Sequence, residues 1–191
     1  MLNKIKDRLQ VVFSVLAKPI AYARIDSNLV TVSGLLFGVL ALYFHKSYPT
    51  MLLLLLIMFL SDGIDGYIAR SLNKVTPFGA FLDSTVDRVE DTISLYLLYL
   101  YGIASADELV ASVTGAFLVS YTRSRAEALG VQMSGVGIAE RAERLIITLL
   151  ILLSYPFSIA LSRALFMLLL VLIAITVIQR VLHVHRRLQG R

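Results

Sequence analysis

Apolar residues run along the chain in six long blocks, at about 28–44, 49–69, 80–101, 107–128, 143–159 and 161–182. Each is at or near the roughly 20 residues that a helix needs to cross a bilayer. The breaks between blocks carry turn residues: HKSYP at 45–49, NKVTPFG at 73–79, IASADE at 103–108, GVQMSGVG at 130–137 and SYPFS at 154–158. Before the first block, Leu2, Ile5, Leu9, Val12, Phe13 and Leu16 recur at helical spacing opposite a basic and polar face. A helix so patterned lies in the headgroup plane. The pattern predicts an all-α integral membrane fold: an interfacial amphipathic helix over 1–24, then one six-helix transmembrane domain over 25–191.

Composition agrees with that class. Of the 191 residues, 58% are hydrophobic and only 16% charged, against roughly a quarter charged in soluble domains. The basic N-terminal stretch has no uninterrupted apolar run followed by a small-residue cleavage site, so it does not read as a cleaved signal. Lys4, Lys6, Arg8, Lys18, Arg24, Arg70, Lys74, Arg123, Arg125, Arg141, Arg144, Arg180, Arg186, Arg187 and Arg191 all fall on one side of the six spans, and only Lys46 and Arg163 on the other. The positive-inside rule then puts both termini in the cytoplasm of a multi-pass cell-membrane protein. The net charge of +5 suits anionic headgroups and phosphorylated substrates, and no nucleic-acid partner is expected. With no cysteine, disulfide and thiolate chemistry are excluded.

The polar residues that disturb this pattern are acids. Asp62 and Asp65 are three positions apart, and Asp83 and Asp87 four, each spacing placing both carboxylates on one helix face. Both pairs sit at the cytoplasmic ends of hairpin-connected helices and can converge. Four carboxylates gathered in a low-dielectric site repel strongly, which two divalent cations would relieve. Oxygen-only ligands favour magnesium, manganese or calcium. Glu90 and Asp91 fit equally well as ordinary acids where a helix leaves the membrane.

The string D-x2-D-G-x2-A-R-x8-G-x3-D-x3-D holds at Asp62, Asp65, Gly66, Ala69, Arg70, Gly79, Asp83 and Asp87. Eight fixed residues match by chance on the order of 10⁻¹⁰ per starting position. The string resembles the signature of the CDP-alcohol phosphatidyltransferases. That resemblance implies a six-helix enzyme, typically a homodimer, with a polar cavity open to the cytoplasm, which moves a lipid-phosphate group from a CDP-linked lipid to an alcohol and releases CMP. It also implies that Asp62, Asp65 and Asp83 hold the metals, two Mg2+ with Mn2+ as substitute. Asp87 would belong to the metal site and serve as the base.

The chemistry needs these parts. A diphosphate needs its charge neutralised as the bridging bond breaks, and an alcohol needs a carboxylate within reach to take its proton. Gly66 admits close backbone approach to the nucleotide, and Arg70 offers a planar fork to phosphate oxygens. By resemblance, Asp62 and Thr76 also belong to the CDP-lipid site, with Pro77 and Gly79 shaping the connection. SNLVT at 27–31 is similar to a Pro-Asn-x-x-Thr stretch that lines the nucleotide pocket of family members. Asn28 and Thr31 match it, and Ser27 departs from it. Ser27 or Asn28 would also serve as a helix cap.

The acceptor is read from SYTRSRAEALG at 120–130 and IAERAERLII at 138–147. Clustered arginines suit a phosphorylated alcohol such as inositol phosphate or glycerol phosphate. These stretches resemble phosphatidylinositol phosphate synthases and their archaeal counterparts, the archaetidylinositol phosphate synthases. The resemblance implies that Arg123, Arg125 and Arg144 bind inositol 1-phosphate, with Arg141 joining them or pairing with a glutamate. Arg123 and Ala142 depart from the bacterial pattern, where lysine and proline are common. Two alternatives stand beside this reading: glycerol 3-phosphate as acceptor, making a phosphatidylglycerophosphate synthase, and a divalent-cation transporter, since intramembrane acids also mark ion paths. No inverted repeat supports the transporter. His183 and His185 are expected at the interface, and the last helix to contribute only hydrophobic character.

Overall fold

Helix α1 (Ser27–Tyr43) begins where Asp26 accepts the backbone N–H of Asn28 at 2.9 Å. Asp26 is therefore the cap, in place of Ser27 or Asn28, because its carboxylate reaches the first unsatisfied donors of the helix. The computed structural model describes Tyr22 and residues 25–72 and 75–189. The interfacial helix expected over 1–24 lies outside the described residues, Tyr22 excepted.

Five further helices follow: α2 (Tyr48–Ser71), α3 (Pro77–Leu100), α4 (Ala106–Ala128), α5 (Arg141–Ser154) and α6 (Ile159–Gln189). There is no strand among the described residues. Helix α3 starts three residues earlier than the apolar pattern suggests. Pro77 occupies its first position, where a missing N–H costs nothing, and Thr76 Oγ1 accepts Gly79 N at 3.0 Å. Helix α4 opens with a capping box between Ser105 and Glu108. Helix α5 stops at Ser154, short of the expected 159, because Pro156 has no N–H to continue the ladder. Helix α6 runs on to Gln189, past the expected 182. No proline or glycine interrupts it, and Arg186 and Arg187 in its last turn suit the negative end of the helix dipole.

The chain forms two compact units, one ending at Ile93 and the other starting at Ser94. In the first, α1 packs along α2 through Val30, Ile64 and Ile68. Small residues bring the backbones together. A Cβ at Gly38 would stand 2.5 Å from Met58 Sδ, and one at Gly34 3.0 Å from Glu90 Oε1 and 3.1 Å from Ser61 Cβ. Glu90 and Asp91 are thus buried, at 2% and 6% exposure, and are not loop acids. They sit mid-helix on the face of α3 that packs inward.

In the second unit, α4 and α5 both pack on α6. A Cβ at Gly115 would come 2.5 Å from Ile173 Cγ2. Arg163 forks onto Glu108, with Nη1 donating to Oε2 at 2.5 Å and Nη2 to Oε1 at 2.6 Å. Nη1 also donates to the Ile103 carbonyl at 2.6 Å. This charge-assisted pair ties the start of α6 to the start of α4.

Large apolar side chains also face outward in stripes. Leu29, Val32, Leu36 and Val39 are exposed along α1, and Leu168, Val171, Ile175, Ile178 and Leu182 along α6. Spacings of three and four residues make each a continuous helix face, of the kind lipid covers and water does not. Two of the described helices, α2 and α6, are long and apolar enough to cross a membrane by themselves.

Candidate metal and nucleotide site

The acids of α2 and α3 converge within the first unit. One carboxylate oxygen from each of Asp62, Asp83 and Asp87 lies within 4.8 Å of the others, all three side chains half-buried. Asp65 stands outside this group. Buried to 4% exposure, its Oδ2 accepts the Thr31 hydroxyl at 2.5 Å and its Oδ1 accepts Gly66 N at 2.5 Å. The helix periodicity that puts Asp62 and Asp65 on one face thus sends one toward α3 and the other toward α1. Arg88 Nη1 lies 3.7 Å from Asp87 Oδ2. Three oxygen-only donors of like charge at this separation suit a hard divalent cation and would repel one another without one.

Beside them opens a cavity of about 460 Å³ lined by Ser27, Asn28, Thr31, Asp65, Gly66, Ala69, Arg70, Val75, Thr76, Gly79, Ala80 and Asp83. Asn28, Thr31, Gly66, Arg70 and Thr76 all line it, and Asp62 does not. Each position has a local cause. The Arg70 guanidinium lies over Gly66, where a Cβ would meet Nη1 at 3.3 Å. At Gly79, a Cβ would meet Thr76 Oγ1 at 3.0 Å and Asn28 Oδ1 at 3.1 Å. The missing side chain at 79 is what lets those two polar groups approach. A second cavity, of about 500 Å³, runs between α1 and α2 and is lined almost wholly by apolar residues, among them Leu29, Phe37, Ile57 and Leu60.

The arginines belong to the second unit. Arg123 and Arg125 are exposed on the last turns of α4, and Arg123 Nε donates to Glu127 Oε1 at 3.0 Å. Arg144 is buried at 4% exposure, its Nη1 donating to the Ala139 carbonyl at 3.1 Å. Arg123, Arg144, Glu127 and Glu140 all act electrostatically on one further residue, Arg180. Arg180 is buried at 2% exposure on α6. Its Nε donates to the Val136 carbonyl at 2.8 Å, its Nη1 to the Val119 carbonyl, and its Nη2 to Glu140 Oε1 at 3.4 Å. The last helix is therefore more than hydrophobic. Its signal in the sequence is Thr176 and Arg180, two hydrogen-bonding residues one turn apart inside an apolar run, a costly arrangement without a task.

Similarities to known proteins bear on this geometry. Over nearly its whole length the chain is 35% identical to the archaetidylinositol phosphate synthase of Pyrococcus horikoshii, covering 99% of each. It is 34% identical to the phosphatidylinositol phosphate synthase of Streptomyces avermitilis over 64% of this chain and 52% of that one. The fold is similar to the crystal structure of Mycobacterium tuberculosis phosphatidylinositol phosphate synthase with CDP-DAG bound, with a TM-score of 0.78 and 27% identity over 91% of this chain and 93% of that one. The same enzyme in complex with manganese and citrate superposes with a TM-score of 0.76 at 29% identity, over 90% of this chain and 88% of that one. The family model for CDP-alcohol phosphatidyltransferases matches residues 25–184, from just before α1 to the last turns of α6. By its motif, its fold and that match, the chain belongs to the CDP-alcohol phosphatidyltransferase family.

Proposed function

We propose that the protein transfers a lipid-phosphate group from a CDP-linked lipid, CDP-diacylglycerol or CDP-archaeol, to inositol 1-phosphate and releases CMP. The observation that carries this reading is the meeting of Asp62, Asp83 and Asp87 beside a cavity lined by Asn28, Thr31, Gly66, Arg70 and Thr76. Relatives named archaetidylinositol phosphate synthase or phosphatidylinositol phosphate synthase support inositol phosphate as acceptor over glycerol 3-phosphate. Membership of a transferase family sets the cation transporter aside.

In this reading Asn28, Thr31, Gly66, Arg70 and Thr76 bind the CDP group. Arg70 offers its fork to the diphosphate. Asp62, Asp83 and Asp87, joined by Asp65, hold two divalent cations, Mg2+ or Mn2+. Ions bound there would offset the charge that grows on the diphosphate oxygens as the bridging bond breaks. Asp87 takes the proton from the acceptor hydroxyl, whose oxygen forms a bond to the lipid-side phosphorus. The bond from that phosphorus to the bridging oxygen breaks, and CMP leaves with the electron pair. Arg123, Arg125 and Arg144 receive the acceptor's phosphate. The apolar cavity between α1 and α2 supports sideways entry of the lipid tails. The same reading includes six membrane spans, cytoplasmic termini and site, and a homodimer.

The test is CMP release by the purified protein with magnesium and each CDP-lipid, offering inositol 1-phosphate, glycerol 3-phosphate, free inositol or serine. Turnover with inositol 1-phosphate alone is expected. Turnover with glycerol 3-phosphate in its place would keep the mechanism and overturn the acceptor. A second expectation concerns Gly79→Ala. The added methyl crowds Thr76 and Asn28 and should raise the CDP-lipid KM about three- to tenfold, leaving the acceptor KM unchanged. An equal rise in both KM values would remove the nucleotide assignment of those two side chains.

A further inference from the structure

Besides Arg180, which holds the Val136 carbonyl, one hydroxyl of α6 holds the loop that leads into α5. Thr176, on α6, is fully buried. Its Oγ1 donates to the Leu172 carbonyl at 2.8 Å, the usual back-bond of a mid-helix threonine. The same oxygen also accepts two backbone donors from across the unit, Ile138 N at 3.2 Å and Ala139 N at 2.9 Å. All the hydrogen-bonding capacity of the hydroxyl is in use.

The backbone conforms closely to that hydroxyl. Gly137 has φ +119°, a conformation open to glycine and few others, and a Cβ there would stand 2.5 Å from Thr176 Cγ2. Two residues on, the Ala139 carbonyl accepts Arg144 Nη1 at 3.1 Å. Arg144 N in turn bonds the Glu140 carbonyl at 3.1 Å as α5 begins. The peptide whose N–H is fixed by Thr176 thus adjoins the carbonyl that fixes the Arg144 guanidinium. Burial leaves that guanidinium little freedom to find another place.

We infer that Thr176 is a positioning residue for the acceptor: its hydroxyl fixes the backbone of residues 138–139 and thereby the Arg144 guanidinium offered to a phosphorylated alcohol. The inference rests on the acceptor role given to Arg144 above. Thr176→Val keeps the shape and removes the acceptor of two backbone N–H groups, of which the buried one at Ala139 must then find another partner by moving the loop. A phosphate fork displaced by about an ångström loses an order of magnitude or more.

The experiment is steady-state kinetics on the full-length protein, varying inositol 1-phosphate and CDP-lipid in turn, with thermal unfolding of each variant alongside. Thr176→Val is expected to raise the inositol 1-phosphate KM about tenfold or more and leave the CDP-lipid KM within about twofold. Thr176→Ser, which keeps the hydroxyl, should behave as wild type. In an Arg144→Ala background, Thr176→Val should add nothing further, since both changes act on one group. Where Thr176→Val does not fold, Thr176→Ala carries the same comparison. An unchanged acceptor KM, an equal rise in both KM values, a defect in Thr176→Ser matching that in Thr176→Val, or additive effects with Arg144→Ala would each overturn the inference. Wild-type protein inactive with inositol 1-phosphate would instead overturn the acceptor reading on which the inference rests.

Discussion

Asp87→Asn is expected to lower CMP release at saturating substrates by about 10³-fold or more and to leave the fold unchanged. The amide is close to isosteric with the carboxylate, and Asp87 is half-buried on a helix already fixed by its neighbours. Removing its charge relieves repulsion with Asp62 and Asp83, so melting temperature should hold or rise. What asparagine cannot do is accept a proton from the acceptor hydroxyl. The CDP-lipid KM should stay within about threefold, because the CDP-binding side chains proposed on α1, α2 and the start of α3 are untouched. Wild-type turnover in this variant would remove Asp87 as the base. A variant that fails to bind CDP-lipid would give it a binding task instead.

The acidic cluster was legible because its pattern is written in helical spacing. Four acids at i, i+3 and i, i+4 in two hairpin-connected helices could converge in few ways, and Asp62, Asp83 and Asp87 do converge. Periodicity could not tell that Asp65 turns instead to Thr31, because that depends on how closely α1 approaches α2, which Gly34 and Gly38 decide. The end of α5 at Ser154 was marked by Pro156, whereas the length of α6 was hidden by the basic residues that close its apolar run. The sequence left Glu90 and Asp91 open between two readings for a similar reason. A mid-helix acid in an apolar block gives no sign of what it packs against, and at Glu90 the space comes from Gly34 on another helix. Thr176 gives little signal in an apolar helix, and Arg180 reads from sequence as one more positive-inside arginine. Their partners, at positions 119 and 136–140, are far away in sequence and contribute mostly backbone groups, which carry no sequence signal.

Removing divalent metal should stop turnover altogether, and returning it should restore turnover to the same protein. Three carboxylate oxygens within 4.8 Å of one another repel by about 1 kcal/mol per pair in water and about 4 kcal/mol at the effective dielectric of a protein surface. Stripped of cations, the group must take up protons or spread apart, and either change ruins the base and the diphosphate site together. Treatment with excess chelator is therefore expected to abolish CMP release, and magnesium or manganese to recover it. Melting temperature should rise with metal concentration, as for any ligand that binds only the folded chain. The separate tasks of the acids then divide cleanly. Asp62→Asn removes one ligand charge and should raise the metal concentration for half-maximal activity about tenfold or more, with turnover recovered at high metal. Asp87→Asn should stay inactive at every concentration, because what it lacks is a proton acceptor and not only a ligand. Full turnover in excess chelator would sink the metal site. Recovery of Asp87→Asn at high metal would return Asp87 to the ligands and leave the base to be found elsewhere.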